Sequence, residues 1–373
     1  MINSDFYGLG IAPNILLLLD KLNFTVPTPI QKQSIPQAIE GKDLIGIAQT
    51  GTGKTLAFGI PIIQDMLKNN RREALVILPT RELAIQVDEA LRKIASPLGI
   101  KTAVLIGGEW IGRQLAALSK KPQIILATPG RLIDHLEQKT MHLKEMRVVV
   151  LDEADRMLDM GFAPQLKRIL SQLPRERQTM LFSATIPEGI VNMARAYMKL
   201  PVRVEVARSG TAAKDVTQEL FFVTQPDKPR LLEKILQEYR GSVLVFSRTK
   251  FSAKKIAHHL RVIGHVAVEF HSNRSLGQRR EALEGFKNGR YRVLVATDIA
   301  ARGIDVHNIE LVVNYDLPTM AEDYVHRIGR TGRAGGTGHA ISFARPDQKK
   351  DVYAIERLMR STLPISKSFT SRS

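Results

Sequence analysis

The sequence predicts an α/β protein of two tandem domains, each a doubly wound parallel sheet, and three observations carry that expectation. Short runs rich in β-branched residues alternate with helix-like segments from Asp43 onward. They are continuously apolar, as strands buried on both faces require. The rhythm breaks at the small, polar stretch Arg208-Ser-Gly-Thr-Ala-Ala-Lys and then begins again. Finally, 373 residues are too many for one ordinary core, and two domains is the natural prior. The expected organisation is a first domain at 1–207, a flexible linker at 208–217, a second domain at 218–350 and a short tail at 351–373.

Residues 1–40 read as helical, broken by Asn23-Phe24-Thr25-Val26-Pro27-Thr28-Pro29-Ile30-Gln31. Two prolines fix the backbone around Thr28, and Gln31 opens a helix. A Gln amide carries a donor and an acceptor, which is what the N6 and N7 of adenine ask for, and Phe24 offers a face for stacking. A helix-capping turn accounts for the same spacing.

The apolar run Asp43-Leu-Ile-Gly-Ile-Ala48 leads into Gln49-Thr50-Gly51-Thr52-Gly53-Lys54-Thr55 and then a helical segment. Glycines between strand and helix let backbone N–H groups converge on a polyphosphate, with the helix dipole adding positive charge. Lys54 then reaches the β- and γ-phosphates, and the Thr55 hydroxyl joins a Mg²⁺ shell. Ala48 stands where the usual pattern has Gly, so a chance glycine turn is the alternative.

Further strand-like runs begin at Ala74, Thr102, Gln123, Arg147 and Thr179, with a last one at Val202. The run Arg147-Val-Val-Val-Leu151 ends in Asp152-Glu153-Ala154-Asp155. Open α/β sheets bind ligands at the carboxyl ends of their strands, which puts Asp152 and Glu153 opposite the glycine-rich loop. There Asp152 can hold Mg²⁺ through water, and Glu153 can orient and deprotonate an attacking water. Simple capping of the next helix is the competing reading, and it loses most of its force once the two stretches are taken together.

In the second half the runs begin at Glu219, Val243, Val266, Arg292, Leu311 and His339, without a second glycine-lysine loop. That half is expected to complete a site, not to own one. A last helical segment runs to about Met359, followed by an expected frayed tail from Ser361.

A net charge of +17 points to a nucleic-acid partner through counterion release. The chain has no cysteine, which excludes disulfides and thiolate chemistry and fits a reducing cytosol. No signal peptide is read at the N-terminus, and the run Ile15 to Leu19 is far short of a membrane span. A soluble, cytoplasmic protein that does not engage membranes is expected.

The motifs also come in an order. Phe24–Gln31, Ala48–Thr55, Pro79-Thr-Arg-Glu-Leu-Ala84, Gly107-Gly108, Thr128-Pro-Gly-Arg131, Asp152–Asp155 and Ser183-Ala-Thr185 cross the first domain. Val245-Phe-Ser-Arg248, Ala296–Asp305 and His326-Arg-Ile-Gly-Arg-Thr-Gly-Arg333 follow in the second. Over roughly residues 6–345 the chain resembles the DEAD-box ATP-dependent RNA helicases, in particular the bacterial RhlE-type subgroup.

That resemblance implies RecA-like domains, an RNA-stimulated ATPase, and ATP with Mg²⁺ as cofactors. It implies that Phe24, Thr28 and Gln31 read adenine, with Phe6 as an upstream aromatic. Thr50, Gly51, Thr52, Gly53, Lys54 and Thr55 would bind phosphates, with Thr55 and Asp152 at the metal and Glu153 at the water. Ser183 and Thr185 would couple nucleotide state to RNA, and Asp305 would touch the ribose. Arg330 and Arg333 would act as arginine fingers, with His326 linking the halves; guanidinium groups there stabilise charge on the γ-phosphoryl oxygens. A solvated basic helix is the alternative for Arg327–Arg333.

An RNA track would comprise Arg81, Gly108, Thr128 and Arg131, then Arg248, Thr297 and Gly303. None of these stretches holds a set of base-edge readers, so binding without sequence preference is expected. Aromatics at 6% argue against a stacking platform as the main mode. Two departures from the family pattern are Leu276 where Gln is frequent, and Asn23 where Gly is usual.

The expected activity is local separation of short RNA duplexes by a monomer, with ribosomal or RNA-decay partners. An ATP-gated RNA clamp without productive unwinding is the competing class, ahead of a DNA helicase or a small-molecule kinase.

Overall fold

The computed structural model describes residues 5–49, 51–69, 73–206, 216–301, 309–332 and 338–366. The chain divides into two compact units, Met1–Arg208 and Ser209–Ser373. No helix among the described residues is long and apolar enough to cross a membrane.

The first unit opens with α1 (Pro13–Lys21), α2 (Pro29–Ile39), β1 (Leu44–Ile47) and α3 (Lys54–Lys68). It continues through β2 (Glu73–Ile77), α4 (Arg81–Ala95), β3 (Thr102–Leu105), α5 (Ile111–Leu118), β4 (Ile124–Ala127) and α6 (Pro129–Glu137). Then come β5 (Met146–Leu151), α7 (Ala154–Asp159), α8 (Ala163–Gln172), β6 (Gln178–Ser183), α9 (Glu188–Tyr197) and β7 (Val202–Glu205). The seven strands lie in the order β3-β4-β2-β5-β6-β1-β7, all parallel. A bulge between Glu73 and Ala74 shifts β2 against β5 at their entry ends, after which Ile77 faces Leu151.

The second unit has β8 (Val216–Phe222), α10 (Lys228–Glu238), β9 (Val243–Ser247), α11 (Lys250–Val262), β10 (Ala267–Phe270) and α12 (Leu276–Lys287). It ends with β11 (Val293–Thr297), α13 (Asp298–Ala301), β12 (Leu311–Asn314), α14 (Ala321–Ile328), β13 (Gly338–Ala344) and α15 (Lys349–Met359). Its parallel sheet runs β10-β11-β9-β12-β13-β8. Alternate residues of β9 show why the apolar runs are continuous. Val243 and Val245 belong to the core on one face, Leu244 and Phe246 to the core on the other.

Each strand-like run of the sequence is therefore a strand. Two boundaries differ. Strand β8 starts at Val216, inside the expected linker, whose residues 208–215 lie outside the described residues. Of the segment expected to fray from Ser361, residues 361–366 are packed instead, and residues 367–373 lie outside the described residues. Strand β8 is an edge, with backbone groups left to satisfy. The Leu220 N–H donates to Pro364 O at 2.8 Å, and the Ser366 N–H to Leu220 O at 2.9 Å. Leu363 is 4% exposed in the same core as Val352 and Ile355 of α15, so the second unit extends well past residue 350.

Leu363→Ala is expected to lower the unfolding free energy by about 2–3 kcal/mol, measured by urea titration of the intact chain; a frayed tail would leave it unchanged.

Candidate functional site

The sheet order of the first unit sorts the sequence-predicted residues into two neighbouring groups. Strands β5, β6 and β1 are adjacent, and their carboxyl ends carry Asp152–Asp155, Ser183–Thr185 and the glycine-rich loop. Strands β3, β4 and β2 are adjacent on the other side, ending in Gly107-Gly108, Thr128 and Arg81.

The loop leaves β1 with the Ala48 N–H on Ser183 O at 3.0 Å. Ala48 does not have positive φ, so the glycine missing from this position is not needed. Gly51 and Gly53 both sit at φ +87°, the left-handed region that suits glycine. Gly53 is the N-cap of α3. Thr52 donates to Gln49 O at 2.7 Å, and Thr55 is half-buried in the first turn. Lys54 is 6% exposed, and its amino group has no hydrogen-bond partner among the described residues. A buried ammonium in this condition is costly without an anion, which is the state expected of a group that meets phosphate.

Gln31 is tied to this loop. Its Oε1 accepts from the Thr28 N–H at 2.9 Å and its Nε2 donates to Gly53 O at 3.0 Å. The capping reading of this residue is thus present in the structure, and its amide bridges Thr28 to the loop. A Cβ on Gly53 would come within 2.4 Å of Gln31 Nε2, so the close approach also requires glycine. Asn23, where Gly is usual, has φ +60°, a conformation Asn tolerates better than most residues. Phe24 is 39% exposed, whereas Phe6 is 1% exposed and packs in the interior instead of presenting a face.

Asp152 is buried, and its pKa is pushed up to about 6, chiefly by burial; Lys54 opposes the rise and Glu153 adds to it. Its Oδ1 accepts the Glu153 N–H at 3.0 Å. Glu153 has φ +51°, a strained conformation for a side chain of this kind and one that gathers at functional sites. Arg156 lies 3.7 Å from its carboxylate.

Asp155 closes the acidic stretch with no role of its own implied by the motif, yet it organises this corner. Its Oδ2 accepts from the Ala184 N–H at 3.1 Å, the Thr185 N–H at 2.9 Å and the Thr185 hydroxyl at 2.8 Å. Ser183 Oγ accepts the Asp155 N–H at 3.3 Å and donates to Thr185 O at 2.7 Å. Among the described residues no cluster of three or more His, Asp or Glu side chains is suited to a metal. One or two carboxylates beside a phosphate loop suits Mg²⁺, which keeps several waters and takes substrate phosphate oxygens.

In the other group, the Arg81 guanidinium lies over Gly108, which has φ +76°; a Cβ there would come within 2.3 Å of Arg81 Nη1. Arg131 donates to Glu109 O at 3.3 Å and pairs with Asp134 at 3.3 Å. Thr128 is the N-cap residue of α6. Beneath them runs a buried chain invisible to motif reading. Gln114 donates to Ile106 O at 2.9 Å, its Oε1 meets His135 Nε2 at 3.1 Å, and His135 Nδ1 meets Thr140 at 2.7 Å. Burial holds the His135 pKa below the ordinary value; Arg131 acts in the same direction and Asp134 against it.

In the second unit, Arg248 is exposed at the end of β9, with its N–H on Asp316 Oδ2 at 3.1 Å and its side chain on Leu317 O at 3.4 Å. Asp316 is held in turn by the buried Lys228 at 2.8 Å. Thr297 ends β11, half-buried. Arg327 grips Asp298 through two bonds of 2.5 and 2.6 Å and lies over the Phe246 ring. It is buried, as is Arg330 at 5% exposed, so Arg327–Arg330 do not form a solvated basic face. His326 is half-buried on α14. Gln278 caps α12 by accepting from the Ser275 N–H at 3.0 Å, so the helix starts properly with Leu276 in place of Gln. Thr50, Gly303, Asp305 and Arg333 lie outside the described residues.

Comparison with known proteins agrees with this layout. A DEAD/DEAH box helicase family model matches residues 28–193, and a helicase conserved C-terminal domain model matches residues 227–335. The ATP-dependent rRNA helicase RRP3 of Yarrowia lipolytica is 44% identical over 342 residues, covering 91% of this chain and 71% of the relative. The DEAD-box ATP-dependent RNA helicase CshA of Geobacillus kaustophilus is 43% identical over 356 residues, 95% of this chain and 76% of that one. The structure of S. cerevisiae Dbp5 bound to RNA and ADP BeF3 has a TM-score of 0.86 at 30% identity, covering 98% of this chain and 95% of that chain.

Asp155→Ala strands three donors that met one carboxylate oxygen, and about 3 kcal/mol of stability is expected to be lost, measured by urea unfolding. For His135 the folded pKa is below the unfolded one, so its stabilisation is present at neutral pH and is lost as pH falls below about 6.5. His135→Gln is therefore expected to lose less stability than the parent between pH 7.5 and 5.5, read from unfolding midpoints.

Proposed function

This chain belongs to the DEAD/DEAH box helicase family, an ATP-hydrolysing enzyme family, and from that premise we propose that it locally separates short RNA duplexes, gripping RNA through its backbone. Within the family, the run of motifs quoted above favours the bacterial RhlE-type subgroup. The observation that carries the reading is the buried ammonium of Lys54, which has no hydrogen-bond partner among the described residues and acts electrostatically on Asp152, on the same sheet as the Arg81–Gly108 seat.

In this reading Gly51, Gly53 and Lys54 hold the phosphates, and Thr55 with Asp152 would hold Mg²⁺. The metal, when bound, supplies charge neutralisation at the β- and γ-phosphate oxygens. Glu153 orients the attacking water and takes its proton. Phe24, Thr28 and Gln31 serve the adenine end, Asp305 the ribose, and Arg330 and Arg333 the developing charge on the γ-phosphoryl group. Ser183 and Thr185, locked to Asp155, transmit nucleotide state to Arg81, Gly108, Thr128 and Arg131. Arg248, Thr297 and Gly303 extend the RNA contacts in the second unit.

ATP and RNA then strengthen each other's binding, as linkage requires. Micromolar ATP binding represents about 8 kcal/mol, against roughly 1.4 kcal/mol per duplex step, so one binding event unsettles about half a helical turn. The names of RRP3 relatives make a ribosomal RNA strand the first substrate to try.

The test is strand displacement on duplexes of increasing length, beside RNA-stimulated ATP hydrolysis. Unwinding is expected to fail steeply with length, Glu153→Gln to keep nucleotide binding while turnover drops at least about 100-fold, and Arg330→Ala to lower turnover about 1000-fold. Hydrolysis by Glu153→Gln at the parental rate, or equal stimulation by DNA, would overturn the proposal.

A further inference from the structure

The RNA track described above has only cationic, hydroxyl and glycine contacts, yet the one tryptophan of the chain stands at its margin. Trp110 is 73% exposed, unusual for a side chain that is highly buried on average. It lies two residues beyond Gly108, whose backbone carries the Arg81 guanidinium. It is also one residue beyond Glu109, whose carbonyl accepts from Arg131. Its position is not that of a loose loop residue. As N-cap of α5 it accepts the Arg113 N–H at 3.1 Å through its carbonyl.

The indole leans on Gly112. A Cβ at that glycine would fall 2.5 to 2.8 Å from three of the ring's carbon atoms, so the absence of a side chain there makes room for the ring. A large planar group is thus held in place while most of its surface faces water, which lowers the entropy it loses on binding.

We propose that Trp110 stacks on a nucleobase of the RNA strand held by Arg81, Gly108 and Arg131, adding one base contact to a track that otherwise reads backbone. This rests on the RNA reading of that edge of the sheet. A single exposed ring is too small for a protein-docking surface, which takes a contiguous apolar patch of a few hundred Å². Leu115, the other large apolar side chain exposed on this helix, is five residues away and turned from the same helical face. Stacking tolerates any base, because every base has a π-face, so the contact adds affinity without sequence choice. It also makes the strand's bases, not only its phosphates, a condition of tight binding.

Because Trp110 is the sole tryptophan, its fluorescence reports the contact directly. The unsubstituted chain is titrated with a single-stranded RNA and with the same strand carrying abasic sites. Affinities are measured in parallel for Trp110→Ala, Trp110→Phe and Arg81→Ala, each checked for folding by circular dichroism. The intact strand is expected to quench the fluorescence and to bind Trp110→Ala about 10-fold more weakly, with Trp110→Phe recovering most of the loss. The fully abasic strand is expected to bind parent and Trp110→Ala alike. Parental affinity of Trp110→Ala for the intact strand, or equal quenching by the abasic strand, overturns the inference. If Arg81→Ala weakens binding while Trp110→Ala does not, the stacking contact alone falls. If the parent binds neither strand, the RNA reading falls and takes the stacking contact with it.

Discussion

The carboxylate of Asp155 receives four donors: the Arg156 N–H on one oxygen, and the Ala184 N–H, Thr185 N–H and Thr185 hydroxyl on the other. Two strand exits, those of β5 and β6, are tied together by this one group. Hydrogen bonds to a charged acceptor are the strong ones, and a buried carboxylate satisfied in this way is stable where an unpaired one would not be. The strained turn at Glu153 depends on the same tie, since its neighbours on the C-terminal side are anchored to a different strand. Asp152, Glu153, Ser183 and Thr185 therefore share one rigid corner. In the second unit a similar device supports an exposed arginine: buried Lys228 holds Asp316, and Asp316 accepts the Arg248 N–H.

Much of this was legible in the chain. Continuous apolar runs identified the strands because parallel sheets bury both faces. The glycine-rich loop and Asp152-Glu153 are local in sequence, and their geometry needs only a strand before them and a helix after. The role of Asp155 is not local in this way, because its partners are 29 and 30 residues away, and only the adjacency of β5 and β6 brings them close. The Gln114–His135 chain was hidden for the same reason, since it joins two helices through an interior that no motif describes. Gln31 showed a different limit. Its spacing fitted both a cap and a base reader, and the structure uses its amide on Thr28 and Gly53. The packed segment at Leu363 looked like a tail because small and polar residues flank it; the unsatisfied edge of β8 that it covers cannot be seen in its own composition.

The two site groups of the first unit also meet. The Thr128 N–H donates to Leu105 O, the Leu78 N–H to Ala127 O, and the Asp152 N–H to Ile77 O. These bonds step across the exits of β3, β4, β2 and β5, from Thr128 to Asp152. Asp152 directly follows β5 and Arg81 opens the helix after β2, so the two lie at the exits of strands one inter-strand spacing apart, about 4.8 Å.

The bulge at Glu73/Ala74 gains a meaning from this. Strand β2 enters the sheet out of step with β5 and is brought into step within a single residue. The extra residue is Arg147 of β5, which stands between Met146 opposite Glu73 and Val148 opposite Ala74. Were it lost, the pairing of β5 beyond it would slip by one position, and alternate side chains would swap faces. Asp152 would then leave its place beside Ile77 while Arg81 kept its seat on Gly108. The relative level of the two is thus set at the far end of the sheet, by an irregularity that touches neither.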